Sequence, residues 1–150
     1  MLLFVLGQIL FFRAFKFFEP QIDGIVFQIV EHKSIVTTST FFSFLLFLIP
    51  VSIAFTWQLS HVISFNKKLA STLLILACIA AGIIARHQQV KTYFTKVVKP
   101  ALLTDGKTNI VYPIDPVNFV YYMLAGLIIG CIFAFVFFRQ RKEFRLSTFK

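Results

Sequence analysis

Residues 117–138 read VNFVYYMLAGLIIGCIFAFVFF and contain no charged side chain. A helix needs about 20 predominantly apolar residues to cross the hydrocarbon core of a bilayer, and this segment meets that length. Tyr121 and Tyr122 lie near its start, where interfacial aromatic residues are commonly found. The segment therefore predicts a membrane-spanning helix.

Three other apolar runs complete a predicted set of four spans. Residues 40–60 and 69–85 are spans of the same kind. Residues 1–18 form a poorer span, because Arg13 and Lys16 lie on one helix face. That segment crosses the membrane only if both side chains reach an interface, and otherwise it forms a helix lying flat. The predicted fold class is an all-α integral membrane protein, a four-helix transmembrane bundle with amphipathic interfacial segments.

The composition supports a membrane protein over the soluble classes. Hydrophobic residues form 58% of the chain and charged residues 14%, whereas soluble domains are about half apolar and a quarter charged. So few charges cannot cover a water-facing surface, which excludes a soluble enzyme, a nucleic-acid-binding domain and a disordered tail. The net charge of +9 fits a membrane surface better than nucleic acid. The length predicts a single membrane domain over residues 1–150.

Two of the three connections between spans are predicted to lie at the outer membrane surface, residues 19–39 and 86–116. The first, residues 19–39, contains an amphipathic pattern over 21–33. This pattern predicts an interfacial helix, with a short strand as the rival interpretation. In the second connection, residues 86–116, apolar residues keep helical spacing beyond the third span, and Pro100 would end that helix.

The second span contains a proline near its middle. Pro50 has no N–H and predicts a bend. In lipid, the carbonyl that loses its partner must be satisfied by a neighbour, and Ser52 and Thr56 are the nearby hydroxyls. Three hydroxyl residues before this span are expected to cap its start: Thr37, Thr38 and Ser39.

Cations near the span ends predict the orientation of the chain, because cytoplasmic segments are rich in Lys and Arg. The basic segment 139–150 follows the fourth span, and Lys67 and Lys68 follow the second. Arg13 and Lys16 after the first span favour the opposite orientation. We expect the chain in the cell membrane with both termini in the cytoplasm.

The basic cytoplasmic tail is the first of two candidate sites. A basic cluster directly after a span attracts anionic lipid by about 1 kcal/mol per cation. It also acts as a plain topology anchor, and the sequence leaves both interpretations open. Membrane lipids are therefore expected partners. The tail cations concerned are Arg139, Arg141, Lys142 and Arg145.

The second candidate site consists of small residues spaced by four. Such spacing gives a smooth helix face that another helix can approach closely. It favours packing of the third span on the fourth, or alternatively docking to another membrane protein subunit or to a second copy. The helix-packing residues are Ala77, Ala81 and Ala85 in the third span and Gly126, Gly130 and Ala134 in the fourth.

Asp, Glu, His, Lys and Arg side chains do not occur in the centres of the second, third and fourth spans. Ionisable residues at such depth mark proton and ion pathways in membrane proteins. The histidines at positions 32, 61 and 87 lack the spacing of a helical metal site. No nucleophile elbow, phosphate loop or zinc-protease motif occurs either. We expect no catalytic residue, no metal and no cofactor, and therefore not an enzyme.

These features predict a non-catalytic accessory or structural subunit of a larger membrane complex. The alternative is a small transport or pore-forming protein, a permease subunit or a holin-like protein, in which Ser52 and Thr56 line a path after oligomerisation. A lipid-acting membrane enzyme is the third hypothesis, with outer carboxylates as its candidate residues: Glu19, Asp23 and Glu31. No nucleic-acid partner is expected.

Overall fold

The computed structural model describes residues 2–18, 32–100 and 118–139. A π-helical turn, Phe94–Val98, continues the third helix to Pro100. Nearly all of the described residues are helical, and none of them forms a strand. The helices within these ranges are α1 (Leu2–Phe18), α2 (His32–Leu59), α3 (Phe65–Tyr93) and α4 (Phe119–Phe138).

Three helices in the described part of the chain are long and apolar enough to cross a membrane. They overlap the second, third and fourth spans predicted from the sequence. α1 has 17 residues, and a membrane crossing by this helix stays a prediction. Residues 21–31 of the predicted interfacial segment lie outside the described residues, as does the tail beyond Arg139. The three segments are Thr37–Leu59, Phe65–Val98 and Phe119–Phe138.

α2 begins earlier than the sequence analysis predicted. It starts at His32, so the three hydroxyl residues expected to cap the second span lie inside the helix. The hydroxyl of Ser43 donates to the carbonyl of Ser39 at 2.9 Å. A Ser or Thr side chain can thus bond to its own helix four residues back, and such residues do not by themselves end a helix. The last part of the first predicted connection, residues 32–39, is therefore helical.

α3 and α4 pack closely and run antiparallel, because residue numbers rise along one helix as they fall along the other at their contacts. The 20 residues of α4 extend about 30 Å, which matches the thickness of a hydrocarbon core. The 34 residues from Phe65 to Val98 extend about 51 Å. Residues 87–100, here called the α3 extension, therefore continue past the start of α4. The contacts that establish this pairing are Gly82 with Tyr122, Gly126 with Cys78, and Gly130 with Ile75.

α1 packs at the end of the bundle where α4 begins. Phe11 and Phe18 stack on Phe119 of α4, with ring centroids 5.8 and 4.8 Å apart. Phe11 also meets Phe42 of α2 at 5.6 Å. All four rings are buried. Because these contacts all involve the first turn of α4 or the N-terminal half of α2, aromatic packing holds α1 at this end.

α2 remains helical through Pro50, which deprives the carbonyl of Leu46 of its usual partner. Of the two hydroxyls expected to compensate, that of Thr56 has another partner, and the Ser60 hydroxyl bonds in the same way. Thr56 Oγ1 donates to the carbonyl of Ser52 at 2.7 Å, and the Ser60 hydroxyl donates to the carbonyl of Thr56. Each hydroxyl bonds four residues back along its own helix, which is the local geometry that a helical Ser or Thr reaches most easily.

The turn between α2 and α3 ends α2 with a Schellman motif. The N–H of His61 donates to the carbonyl of Gln58, and the N–H of Val62 donates to the carbonyl of Trp57, both at 3.2 Å. This motif requires a residue in the left-handed region, commonly glycine. His61 adopts that conformation, with φ of 52°. An L side chain there costs about 1 kcal/mol.

Replacing His61 with glycine should raise the free energy of unfolding by about 1 kcal/mol, because glycine adopts positive φ without a Cβ clash. Thermal unfolding of the purified chain in mild detergent, followed by circular dichroism, measures this change. The control Gln58→Gly lies within α2 and should lower stability by up to about 1 kcal/mol. A His61→Gly chain no more stable than wild type would contradict strain at this turn.

Candidate functional site

The contact between α3 and α4 contains the small residues predicted for packing in the fourth span. Gly126, Gly130 and Ala134 are all buried. A Cβ placed on Gly126 would lie 2.5 Å from the carbonyl oxygen of Cys78, and one on Gly130 would lie 2.9 Å from the Cα of Ile75. Since these distances are too short for any side chain, the two backbones approach this closely only because both positions are glycine.

The alanine stripe of α3 lies on another side of the helix. Ala77, Ala81 and Ala85 are all exposed. The α3 residues at the α4 contact are instead Ile75 and Gly82, together with their buried neighbours. Successive residues of a helix are separated by about 100°, so Ala77 points about 200° away from Ile75. The two stripes of small residues therefore do not face each other.

The exposed side of α3 forms a continuous apolar surface. Leu73 and Ile84 share this side with the three alanines and are 57% and 59% exposed. We call the surface formed by these five residues the alanine face. Only 17% of the apolar window of α3 is buried, against 39% for α4. Among the described spans, α3 thus leaves the most apolar surface uncovered.

A polar cluster joins α3 to α4 where α4 begins. Arg86 is only 7% exposed, and its Cζ lies 5.4 Å from the ring centroid of Tyr122. Arg86 Nη1 donates to Gln89 Oε1 at 3.2 Å, and the Tyr122 hydroxyl donates to the same oxygen at 2.6 Å. An aromatic face stabilises a cation close to it. The guanidinium of Arg86 and the amide of Gln89 on α3 are therefore linked to the Tyr122 side chain on α4.

His87 extends this cluster to α1. Its ring stacks on Phe17 with centroids 4.7 Å apart and meets Phe18 at 5.8 Å. The sequence analysis placed Arg86 and His87 in the second outer connection. It missed their contacts because the partners lie in α1 and α4, far away along the chain. In the sequence, the available sign of these contacts was the pair Tyr121 and Tyr122 at the start of the next predicted span.

At the opposite end of the bundle, two cations lie over aromatic rings. The Cζ of Arg139 is 5.4 Å from the ring centroid of Phe135. The Nζ of Lys68 is 5.6 Å from the ring of Trp57, whose indole N–H donates to Ser71 Oγ at 3.0 Å. Arg139 is thus held against the last turns of α4. The other predicted tail residues lie outside the described residues: Arg141, Lys142 and Arg145.

The side chains of residues 2–18, 32–100 and 118–139 that could ligate a metal are histidines and cysteines. No three His, Cys, Asp or Glu side chains of these ranges lie together in a way that could hold a metal ion. All six acidic residues of the chain fall outside the ranges, so the expectations of no enzyme activity and no cofactor stay predictions. No protein-family model matches the chain, and no curated protein or solved structure is significantly similar to it.

Replacing Gly130 with leucine should lower the free energy of unfolding by about 1–3 kcal/mol, because the side chain forces the α3 and α4 backbones apart. Unfolding of the purified chain in detergent measures the loss. Ala125→Leu is the matched control, since Ala125 is an exposed small residue of the same helix. It should change stability by less than about 0.5 kcal/mol. Equal losses in both variants would contradict the close approach of the two helices.

Replacing Tyr122 with phenylalanine keeps a ring over Arg86 but removes the hydrogen bond to Gln89, so stability should fall by about 1 kcal/mol. Tyr122→Leu removes the ring as well and should lose about 0.5–2 kcal/mol more. The same unfolding measurement applies. Tyr121→Phe provides the control, because Tyr121 is 58% exposed. If the two phenylalanine variants unfold alike, the cluster does not link α3 to α4.

Proposed function

We propose that the chain is a multi-pass protein of the cell membrane and a non-catalytic subunit of a larger membrane assembly. The alanine face of α3 is the observation that carries this proposal. Helices in lipid gain little from the hydrophobic effect, and they associate through close packing of their surfaces. Small residues spaced by four permit that packing, and here they are exposed on the side of α3 opposite α4. The expected partner is a helix of another membrane subunit or of a second copy.

The cations beside the start of α3 and the end of α4 support a cytoplasmic location for the C-terminal end of α4. Because α3 and α4 are antiparallel, the start of α3, with Lys67 and Lys68, lies at the same end of the bundle as Arg139. Cytoplasmic ends of spans are enriched in Lys and Arg. This end is therefore the proposed cytoplasmic end, and the α3 extension emerges on the other side.

The hydrogen bonds of α2 support the subunit role over a pore-forming one. The hydroxyls of Thr56 and Ser60 already donate to carbonyls of their own helix. Both residues are also buried, with 5% and 1% of their surfaces exposed. Donors used inside a helix are poor linings for a hydrated path. Thr56, one of the two residues named for the transport alternative, thus offers little polar surface to a path, whereas Ser52 is partly exposed.

The test of the subunit role is Ala81→Leu, which places a large side chain in the middle of the alanine face. A tagged full-length chain, expressed at its natural level and extracted in mild detergent, should lose its co-purifying membrane protein or its dimer mass, as read by mass spectrometry. Loss of close packing at one such position should reduce recovery of the partner at least tenfold, equivalent to about 1.4 kcal/mol.

Ala54→Leu is the matched control, because Ala54 is an exposed alanine of α2 that lies outside the alanine face. This variant should keep the wild-type assembly. Both variants should be present in the membrane at equal amounts and with equal helix content. Identical assemblies from the two variants, or a wild-type chain that purifies as a lone monomer, would refute docking through the alanine face.

A further inference from the structure

A groove of about 390 Å³ lies between α2 and α4, away from the alanine face of α3. Its lining is mostly apolar, with Leu48, Leu124 and Phe135 among the residues on its walls. Smaller side chains leave the space between the two helices unfilled, among them Ser52 and Cys131. The volume is within the range of about 300–1,000 Å³ that is common for small-ligand sites.

The groove has a buried floor and exposed edges. Leu127 and Thr56 on its floor are 3% and 5% exposed, whereas Phe55 and Ile132 at its edges are 58% and 54% exposed. The groove is therefore open along its side to the medium around the helices. In a membrane-spanning chain, that medium is the hydrocarbon of the bilayer.

The dimensions of the groove match an alkyl chain. Its lining runs from Leu48 to Leu59 on α2 and from Leu124 to Phe135 on α4, a length of about 16 Å. Along α4, this lining begins about 5 Å inside the cytoplasmic end of the helix and extends past its middle. A groove of about 390 Å³ over this length is narrow, which suits an alkyl chain better than an α-helix about 10 Å across.

A cation lies next to the cytoplasmic end of the groove. Phe135 lines the groove, and the Cζ of Arg139 lies 5.4 Å from the centroid of its ring. Arg139 is exposed, so its donors can reach a ligand. A guanidinium binds phosphate oxygens through paired, charge-assisted hydrogen bonds.

We propose that the groove binds one acyl chain of an anionic phospholipid from the cytoplasmic leaflet, with the lipid phosphate at Arg139. This site rests on the membrane location proposed above and not on the subunit role. The apolar walls select an alkyl chain, and Arg139 at the cytoplasmic end selects both the leaflet and a head group with net negative charge.

The test is native mass spectrometry of the full chain in mild detergent, titrated with phosphatidylglycerol or with phosphatidylcholine of the same acyl chains. Wild type should bind phosphatidylglycerol about fivefold more tightly than phosphatidylcholine. Arg139→Gln should remove that preference and keep the weaker binding. Cys131→Phe places a ring inside the groove and should lose both lipids. Its control Ala125→Phe, at an exposed position of the same helix, should bind both as wild type does.

Ser52→Phe fills the groove from α2 and provides a second variant if Cys131→Phe fails to fold, which helix content by circular dichroism reports. The proposal is overturned if the filled variants bind lipid like Ala125→Phe, or if wild type shows no preference for the anionic lipid. Ala81→Leu should bind lipid normally, so the lipid site and the subunit role fail independently. Recovery of the wild-type chain outside the membrane fraction would overturn both.

Discussion

The close approach of the α3 and α4 backbones is the constraint on which the rest of this structure depends. Two apolar helices in lipid have no water to expel between them, so their association depends on contact between well-matched surfaces. Gly126 and Gly130 remove the side chains that would hold the helices apart. The resulting register brings Tyr122 to Arg86 at one end. It also brings the start of α3 level with Arg139 at the other end. The positions of the cations at both ends therefore depend on the absence of a Cβ at Gly126 and Gly130.

The existence of three helices long and apolar enough to span a membrane could be predicted from the sequence, because apolar length is a local property. Their limits could not be predicted as well. The hydroxyl residues before the second span look like caps, yet a hydroxyl inside a helix satisfies itself on a carbonyl of the same helix, as Ser43 does on Ser39. Such a hydroxyl can either cap a helix or bond within it, at similar energy. Packing against the other helices decides between the two, and the local sequence pattern does not show that packing.

The face of α3 that contacts α4 also could not be predicted from the pattern of small residues. Small residues spaced by four occur on both faces of α3, Cys78 and Gly82 on one and the three alanines on the other. Spacing alone therefore does not show which face contacts α4. The contact uses Gly82, where the carbonyl of Tyr122 occupies the space that a Cβ would need. An alanine cannot replace glycine at such a position, whereas glycine or alanine would serve at a looser contact. The single glycine of α3 was therefore a stronger indicator of the contact than the three alanines around it.

The arrangement of α2, α3 and α4 places three surfaces on different sides of the helices: the contact between α3 and α4, the alanine face and the groove. α4 covers the side of α3 that includes Ile75 and Gly82, and the alanine face lies on the opposite side of that helix. The groove belongs to α2 and α4, so it opens on neither of these. A subunit on the alanine face and a lipid in the groove would thus occupy different sides of the bundle without competing. Because α4 borders both α3 and the groove, its glycine contact with α3 fixes the position of one groove wall and leaves the alanine face uncovered.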